Sequence, residues 1–281
     1  MNAEAPLIEI EDLSVRFNTP TRIVHAVRSL SLTLGREKLA IVGESGSGKS
    51  MTGRAILDLV PWPGEVRAKR LTFKGADLLT MNRKARAALR GRNISMVMQD
   101  PKFSLNPVMS VGRQIAEGYR AHQKVSAAEA RDRSLAMLEA VQIREPGRVF
   151  DLYPHEVSGG MGQRVMIAMM LIAEPDVLIA DEPTSALDVT VQAQILDILD
   201  RLVSERGMGL IFISHDLPLV SSFCDRVVVM YAGKVVETLQ ARDLARGQHP
   251  YTQGLLGCLP DLDRPKERLA ALKRDAAWAE A

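Results

Sequence analysis

The chain has 281 residues, 46% of them hydrophobic, enough to build one large domain or two small ones around a real core. Its 36 Lys and Arg against 34 Asp and Glu leave a net charge of +2, which gives no basic field for nucleic acid. Two cysteines, Cys224 and Cys258, rule out a disulfide framework and fit a reducing cytoplasm. The N-terminal stretch carries acids where a signal peptide carries lysines. The longest apolar run, Val165 to Ala173, falls far short of the ~20 residues that cross a bilayer. A soluble chain is expected, one able to dock on something that is not.

Taken in chain order, Leu7 to Phe17 alternates apolar and polar residues and reads as a half-buried strand. Lys38 to Gly43 is a short apolar run that reads as a strand buried on both faces. A glycine-serine loop and a helix-period segment, Ser50 to Leu59, follow it. Ile94 to Met98 is a second buried strand. From about Val111 to Phe150 the chain is nearly all helix-like, with Ala127 to Val141 the clearest helix, so this stretch reads as an inserted helical subdomain. Then come a helix over Gly162 to Ala173, a strand over Asp176 to Asp181, a helix over Val189 to Arg206 and a strand over Gly209 to Ser214. Arg226 to Thr238 reads as a hairpin turning at Ala232-Gly233. Strands alternating with helices predict an α/β fold. Repeats and low-complexity tracts are absent from the sequence.

The glycine-serine loop carries the first chemistry. A cluster of this composition is ordinarily just flexible. Here Gly43, Glu44, Ser45, Gly46, Ser47, Gly48, Lys49 and Ser50 fit G-x-x-x-x-G-K-[ST], with a strand before and a helix after. Glycines let the backbone wrap phosphates with its N–H groups pointing inward, and the following helix adds its positive end. Lys49 suits the β- and γ-phosphates, and the Ser50 hydroxyl suits Mg²⁺. Taken alone, the loop indicates a nucleoside triphosphate and nothing narrower.

Two further patterns complete the set. Asp181 and Glu182 end an apolar strand, where the first suits Mg²⁺ and the second a water to be polarised. Ser158, Gly159 and Gly160, in "VSGGMGQR", open an apolar helix and so make a second anion-binding helix start. Two phosphate sites far apart in one chain are economically explained if each serves a different face of one nucleotide, with the second copy coming from another subunit.

The phosphate loop, Gln99, "VSGGMGQR", "VLIADE", "SALD" and His215, in that set, resemble the ATPase subunits of ABC transporters over nearly the whole chain. The resemblance implies a P-loop NTPase (RecA-like) core with a mostly parallel sheet, an N-terminal antiparallel β subdomain and an α-helical subdomain inserted at about 105–165. It further implies an ATPase domain over 1–245 and a short C-terminal extension over 246–281. Two subunits would sandwich two ATP molecules head to tail. Residues Gly43 to Ser50 with Met51 would then cradle one nucleotide, and Ser158, Gly159 and Gly160 would act on the partner's γ-phosphate. Asp181, Ser50 and Gln99 would hold Mg²⁺, and Gln99 would also touch the membrane subunit. Glu182 would be the catalytic carboxylate and His215 the switch histidine at the γ-phosphate. Residues Ser185 to Asp188 would cross the dimer interface. Phe17 is the best match for the aromatic that stacks on adenine, with His25 as a rival and a plain core role as the alternative.

"QDPKFSLNPVMSVGRQI", the run from Ser158 to Leu196 and "HPYTQGLL" narrow the resemblance to the peptide/nickel importer ATPases. That implies a second ATPase subunit, related or identical, two membrane permease subunits and, indirectly, an extracytoplasmic solute-binding protein. The implied location is the cytoplasmic face of the bacterial inner membrane, with no nucleic-acid partner. Many relatives carry a cysteine cluster after the "HPYT" segment. Only Cys258 stands there in this sequence, and an iron–sulfur cluster needs about four thiolates, so none is expected. Gly162 also departs from the arginine or glutamine usual in relatives, with little loss expected. The alternative reading is an accessory ATPase of a soluble enzyme complex such as the carbon–phosphorus lyase. A DNA-repair or translation ATPase would need a long coiled-coil insertion or paired domains, and the sequence has neither.

Overall fold

The computed structural model describes residues 5–99, 104–185 and 187–259, with Asp275 and Trp278. In chain order it contains β1 (Ile8–Asn18), β2 (Ile23–Leu34), β3 (Lys38–Val42), α1 (Lys49–Ile56), β4 (Gly64–Arg67), β5 (Arg70–Phe73), β6 (Ala76–Asp77), α2 (Arg83–Leu89) and β7 (Ile94–Val97). There follow α3 (Val111–Arg120), α4 (Ala127–Ala140), α5 (Pro146–Asp151), α6 (Gly159–Leu171), β8 (Val177–Asp181), α7 (Val189–Arg206) and β9 (Gly209–Ser214). The last elements are α8 (Leu217–Phe223), β10 (Arg226–Tyr231), β11 (Lys234–Gln240) and α9 (Pro250–Gly257). Contacts divide the chain into two compact units, residues 1–80 with 211–281, and residues 81–210.

The first unit holds two groups of strands. β1 pairs antiparallel with β2, β4 and β5, and β5 pairs with the two-residue β6. The alternation of β1 buries Ile8, Ile10, Leu13 and Val15. Its ladder with β2 slips where Asp12 and Ser29 turn left-handed, at φ 54 and 48. A serine satisfies each displaced amide: Asp12 N–H donates to Ser31 Oγ and Ser29 N–H to Ser14 Oγ, both at 3.0 Å. The other group runs β11-β10-β3-β9. Here β10 lies parallel to β3 and antiparallel to β11, with the hairpin turning at Ala232-Gly233 as its sequence predicts. Leu39 to Val42 and Val227 to Met230 are buried throughout, as strands covered on both faces must be.

In the second unit β7 and β8 pair in parallel, Ile94 opposite Val177 and Val97 opposite Ala180, and both strands are buried along their whole length. Helices α3, α4 and α5 pack on one another, and α3 and α4 also pack on α6. Ser126 caps α4 by accepting from Glu129 N–H, and Asp188 caps α7 by accepting from Val191 N–H.

Two helix limits differ by three residues from the sequence reading. The helix expected over Ser50 to Leu59 stops at Ile56, where Asp58 turns left-handed at φ 57 and its N–H closes on Ala55 O. The helix expected from Gly162 starts at Gly159, because Ser158 caps it. Inside the helical cluster, a Cβ on Gly112 would lie 2.1 Å from the Phe150 ring, whereas one on Gly147 would meet nothing within 4 Å. Gly112→Ala is therefore expected to cost about 1–3 kcal/mol in urea unfolding through overpacking, and Gly147→Ala far less. Equal effects for the two would contradict this packing.

Candidate nucleotide site

The run Gly43 to Ser50 leaves β3 and enters α1 in the first unit. Two of its glycines are forced by neighbours. Gly43 has φ 149, and a Cβ there would sit 2.2 Å from the Met230 carbonyl oxygen. Gly48 has φ 102, and a Cβ there would sit 2.3 Å from the Ala26 carbonyl oxygen. The β10–β11 turn fastens the loop again: Gly233 N–H donates to Ser47 O at 3.1 Å, and Arg28 N–H of β2 donates to Gly233 O at 2.7 Å.

Within this frame Lys49 is 5% exposed, and its Nζ donates to Gly43 O and Glu44 O, each at 2.8 Å. Ser47 Oγ is buried and makes no hydrogen bond. A buried hydroxyl left without a partner costs about 1–3 kcal/mol, so its retention points to a ligand. α1 starts at Gly48 with no side-chain cap. An uncapped helix start beside a buried ammonium and a donor hydroxyl fits an anionic phosphate group. Ser45 and Gly46 are exposed, while Glu44, Ser50 and Met51 are half-buried.

The remaining first-unit candidates sit on β1, on β2 and just after β9. Phe17 is half-buried near the end of β1, opposite Val24, and its ring would be 2.8 Å from a Cβ on Gly64. His25 is exposed on β2, next to the Ala26 whose carbonyl abuts Gly48. His215 is exposed at the end of β9. After it, Asp216 N–H donates to Ser214 Oγ, and the Asp216 carboxylate caps α8.

The second unit assembles its own set. Asp181 ends β8 and is 6% exposed. Glu182 follows with a left-handed φ of 47, and its Oε2 accepts from Gln99 Nε2 at 3.1 Å. Ser185 folds back on this turn, its Oγ donating to Glu182 O at 3.2 Å. Gln163, buried in α6, donates to Pro183 O at 2.5 Å and so ties that helix to the segment after Glu182. Residues 100–103, which continue the sequence pattern after Gln99, and Ala186 of "SALD" lie outside the described residues, as do residues 260–274 of the C-terminal extension.

Ser158 is exposed and caps α6, its Oγ accepting from Met161 N–H at 3.3 Å. Gly159 faces open space, and a Cβ on Gly160 would lie 2.8 Å from Val191 Cγ1 of α7. Ser158, Gly160 and Val191 border a concave pocket of about 640 Å³ that Gln142, Arg144, Arg164 and Gln194 also line. Burial, with Arg144 nearby, holds the Arg164 guanidinium below its ordinary pKa. Its two terminal nitrogens donate to Gln142 O at 2.7 Å and to Gln194 Oε1 at 2.5 Å.

Sequence reasoning did not give a site role to Gly233, Arg144 or Tyr251. The Tyr251 hydroxyl accepts from Glu44 N–H in the phosphate loop at 2.9 Å. Its only signal in the sequence was its place in "HPYT".

Residues 27–185 match the ABC transporter family. A putative peptide import ATP-binding protein of Brucella melitensis is 48% identical over 270 residues, covering 95% of this chain and 81% of the relative. The dipeptide transport ATP-binding protein DppD of Escherichia coli is 46% identical, covering 95% and 82%. The oligopeptide transport ATP-binding protein OppD of Bacillus subtilis is 47% identical, covering 95% and 75%. All three names describe transport, in line with import rather than with an accessory role in a soluble enzyme complex. Among solved structures, a dimeric post-hydrolysis state of the ATP-binding cassette MJ0796 bound to ADP and Pi matches with a TM-score of 0.74 at 26% identity. It covers 84% of this chain and 99% of that one.

The capping of α6 yields a direct stability test. Ser158→Ala is expected to lower unfolding free energy by about 1 kcal/mol, and Ser158→Asp to restore most of it, since aspartate caps as well as serine does. Unchanged urea unfolding for the alanine variant would contradict the cap.

Proposed function

The chain belongs to the ABC transporter family, and from that premise we propose that it is the ATP-binding and hydrolysing subunit of an importer for peptides, nickel chelates or related solutes. The observation that carries this reading is the phosphate loop, glycine-only at Gly43 and Gly48, around a buried Lys49 and an unpartnered Ser47 hydroxyl. Lys49 meets the β- and γ-phosphates, and the loop amides with the start of α1 take the remaining phosphate charge. Ser50, Gln99 and Asp181 would hold Mg²⁺, which when bound neutralises charge on the transferring phosphoryl group.

Glu182 orients and polarises the attacking water, and its bond to Gln99 fixes the carboxylate in the waiting state. His215 senses the γ-phosphate. Ser158, Gly159 and Gly160 close on the nucleotide of a second ATPase subunit, identical or related. Two permease subunits anchor the pair at the cytoplasmic face of the membrane, and a solute-binding protein delivers the solute on the other side. The dimeric ADP-bound relative and the transport names of the curated relatives support this arrangement.

Glu182→Gln tests the catalytic assignment. In the assembled transporter the variant is expected to bind MgATP as the wild type does and to lose about 10²-fold or more in turnover. Near-wild-type turnover would overturn the role given to Glu182.

A further inference from the structure

The phosphate loop is braced by a side chain from far along the chain. Glu44 N–H donates to the Tyr251 hydroxyl at 2.9 Å. The Glu44 carbonyl, at the other end of the residue, accepts from Lys49 Nζ at 2.8 Å and from Ser47 N–H at 3.2 Å. One residue of the loop is thus held at both of its peptide groups.

The brace itself is firmly seated. Tyr251 is fully buried, and its ring packs on Tyr231 with centroids 4.6 Å apart. Trp278 closes over both rings, at 6.0 and 5.8 Å. The backbone leading to Tyr251 is pinned by Glu237 of β11, whose carboxylate accepts from Gln248 N–H at 2.7 Å and from His249 N–H at 3.3 Å. His249 Nδ1 then accepts from Tyr251 N–H at 3.1 Å and caps α9. Glu237, the "HPYT" segment and the loop therefore form one continuous line of contacts inside the first unit.

We propose that Tyr251 is a positioning residue for nucleotide binding. Its hydroxyl sets the Glu44 peptide, and through it Lys49, before the triphosphate arrives. This makes the C-terminal extension part of the nucleotide site's scaffold. The inference rests on the reading of Gly43 to Ser50 as a phosphate cradle. Without the brace, the loop must be ordered at the moment of binding, and affinity falls by that ordering cost. Tyr251 has no place on the attacking water, so its loss acts on binding and spares the chemical step.

The test uses the full chain with Tyr251→Phe, which keeps the ring and removes only the hydroxyl. MgATP binding by calorimetry is expected to weaken roughly three- to tenfold, with KM rising in parallel, kcat nearly unchanged and the thermal midpoint close to wild type. Wild-type affinity in this variant, with or without a lowered midpoint, overturns the proposal and leaves Tyr251 a packing residue. Lys49→Ala serves as the reference. If it loses binding while Tyr251→Phe does not, the brace alone fails; if it keeps binding, the phosphate-cradle reading fails and takes the brace with it. Amide exchange in the unliganded wild-type chain gives a readout independent of any variant. Glu44 N–H is expected to be protected, and rapid exchange there contradicts the brace.

Discussion

Two backbone carbonyls set the terms for the first unit. Met230 O and Ala26 O approach the phosphate loop so closely that only hydrogen fits where a side chain would start at Gly43 and Gly48. The loop is thus pressed between the β2 backbone and the end of β10, and its shape is imposed by main chain on both sides. The Gly233 amide on Ser47 O adds a third fixed point from the β10–β11 turn. A loop held this way keeps its amides ordered before any ligand arrives, which lowers the entropic cost of binding. It leaves the buried Ser47 hydroxyl without a partner and starts α1 with no side-chain cap, and a phosphate suits both.

The second unit follows the same logic with side chains in place of carbonyls. Glu182 takes a left-handed backbone turn, a conformation that costs about 1–3 kcal/mol for a non-glycine residue. Gln99 holds its carboxylate and Ser185 returns to its carbonyl, so the turn is fixed from two directions. Gln163 links the same turn to α6, whose first turn presents Ser158. Within this unit the proposed catalytic acid and the proposed γ-phosphate contact therefore sit on connected elements.

Much of this was legible in sequence because the signals are local. The apolar runs of β3, β8 and β9 and the hairpin of β10 and β11 fall where their composition places them, and α7 spans Val189–Arg206 as its period predicts. Beyond β1 the residues mark the N-terminal antiparallel sheet only in part: Leu30, Leu32 and Leu34 of β2 alternate with polar residues and are buried, a signal the sequence reading passed over, whereas β4 to β6 are two to four residues long, too short for alternation or an apolar run to show. The linear patterns at Gly43 to Ser50, Ser158 to Gly160 and Asp181-Glu182 named the candidate residues. What braces them was hidden by distance along the chain: Tyr251 reaches Glu44 across 207 positions. Phe17 shows a further limit. Its register on β1 was plain, but its contact with Gly64 depends on a strand that the sequence did not mark.

The proposal that the nucleotide site is shared between two subunits is tested most directly by a mixed dimer. One subunit carries Lys49→Ala and the other Ser158→Arg, and the ATP occluded per dimer is counted after trapping. Where the pairing subunit is a related chain, its own serine takes the second lesion. If each site joins one chain's phosphate loop to the other's Ser158, both lesions fall in one site, and one ATP per dimer is expected. If each site lies within a single chain, both sites are damaged; a mixed dimer that occludes no ATP would contradict the account.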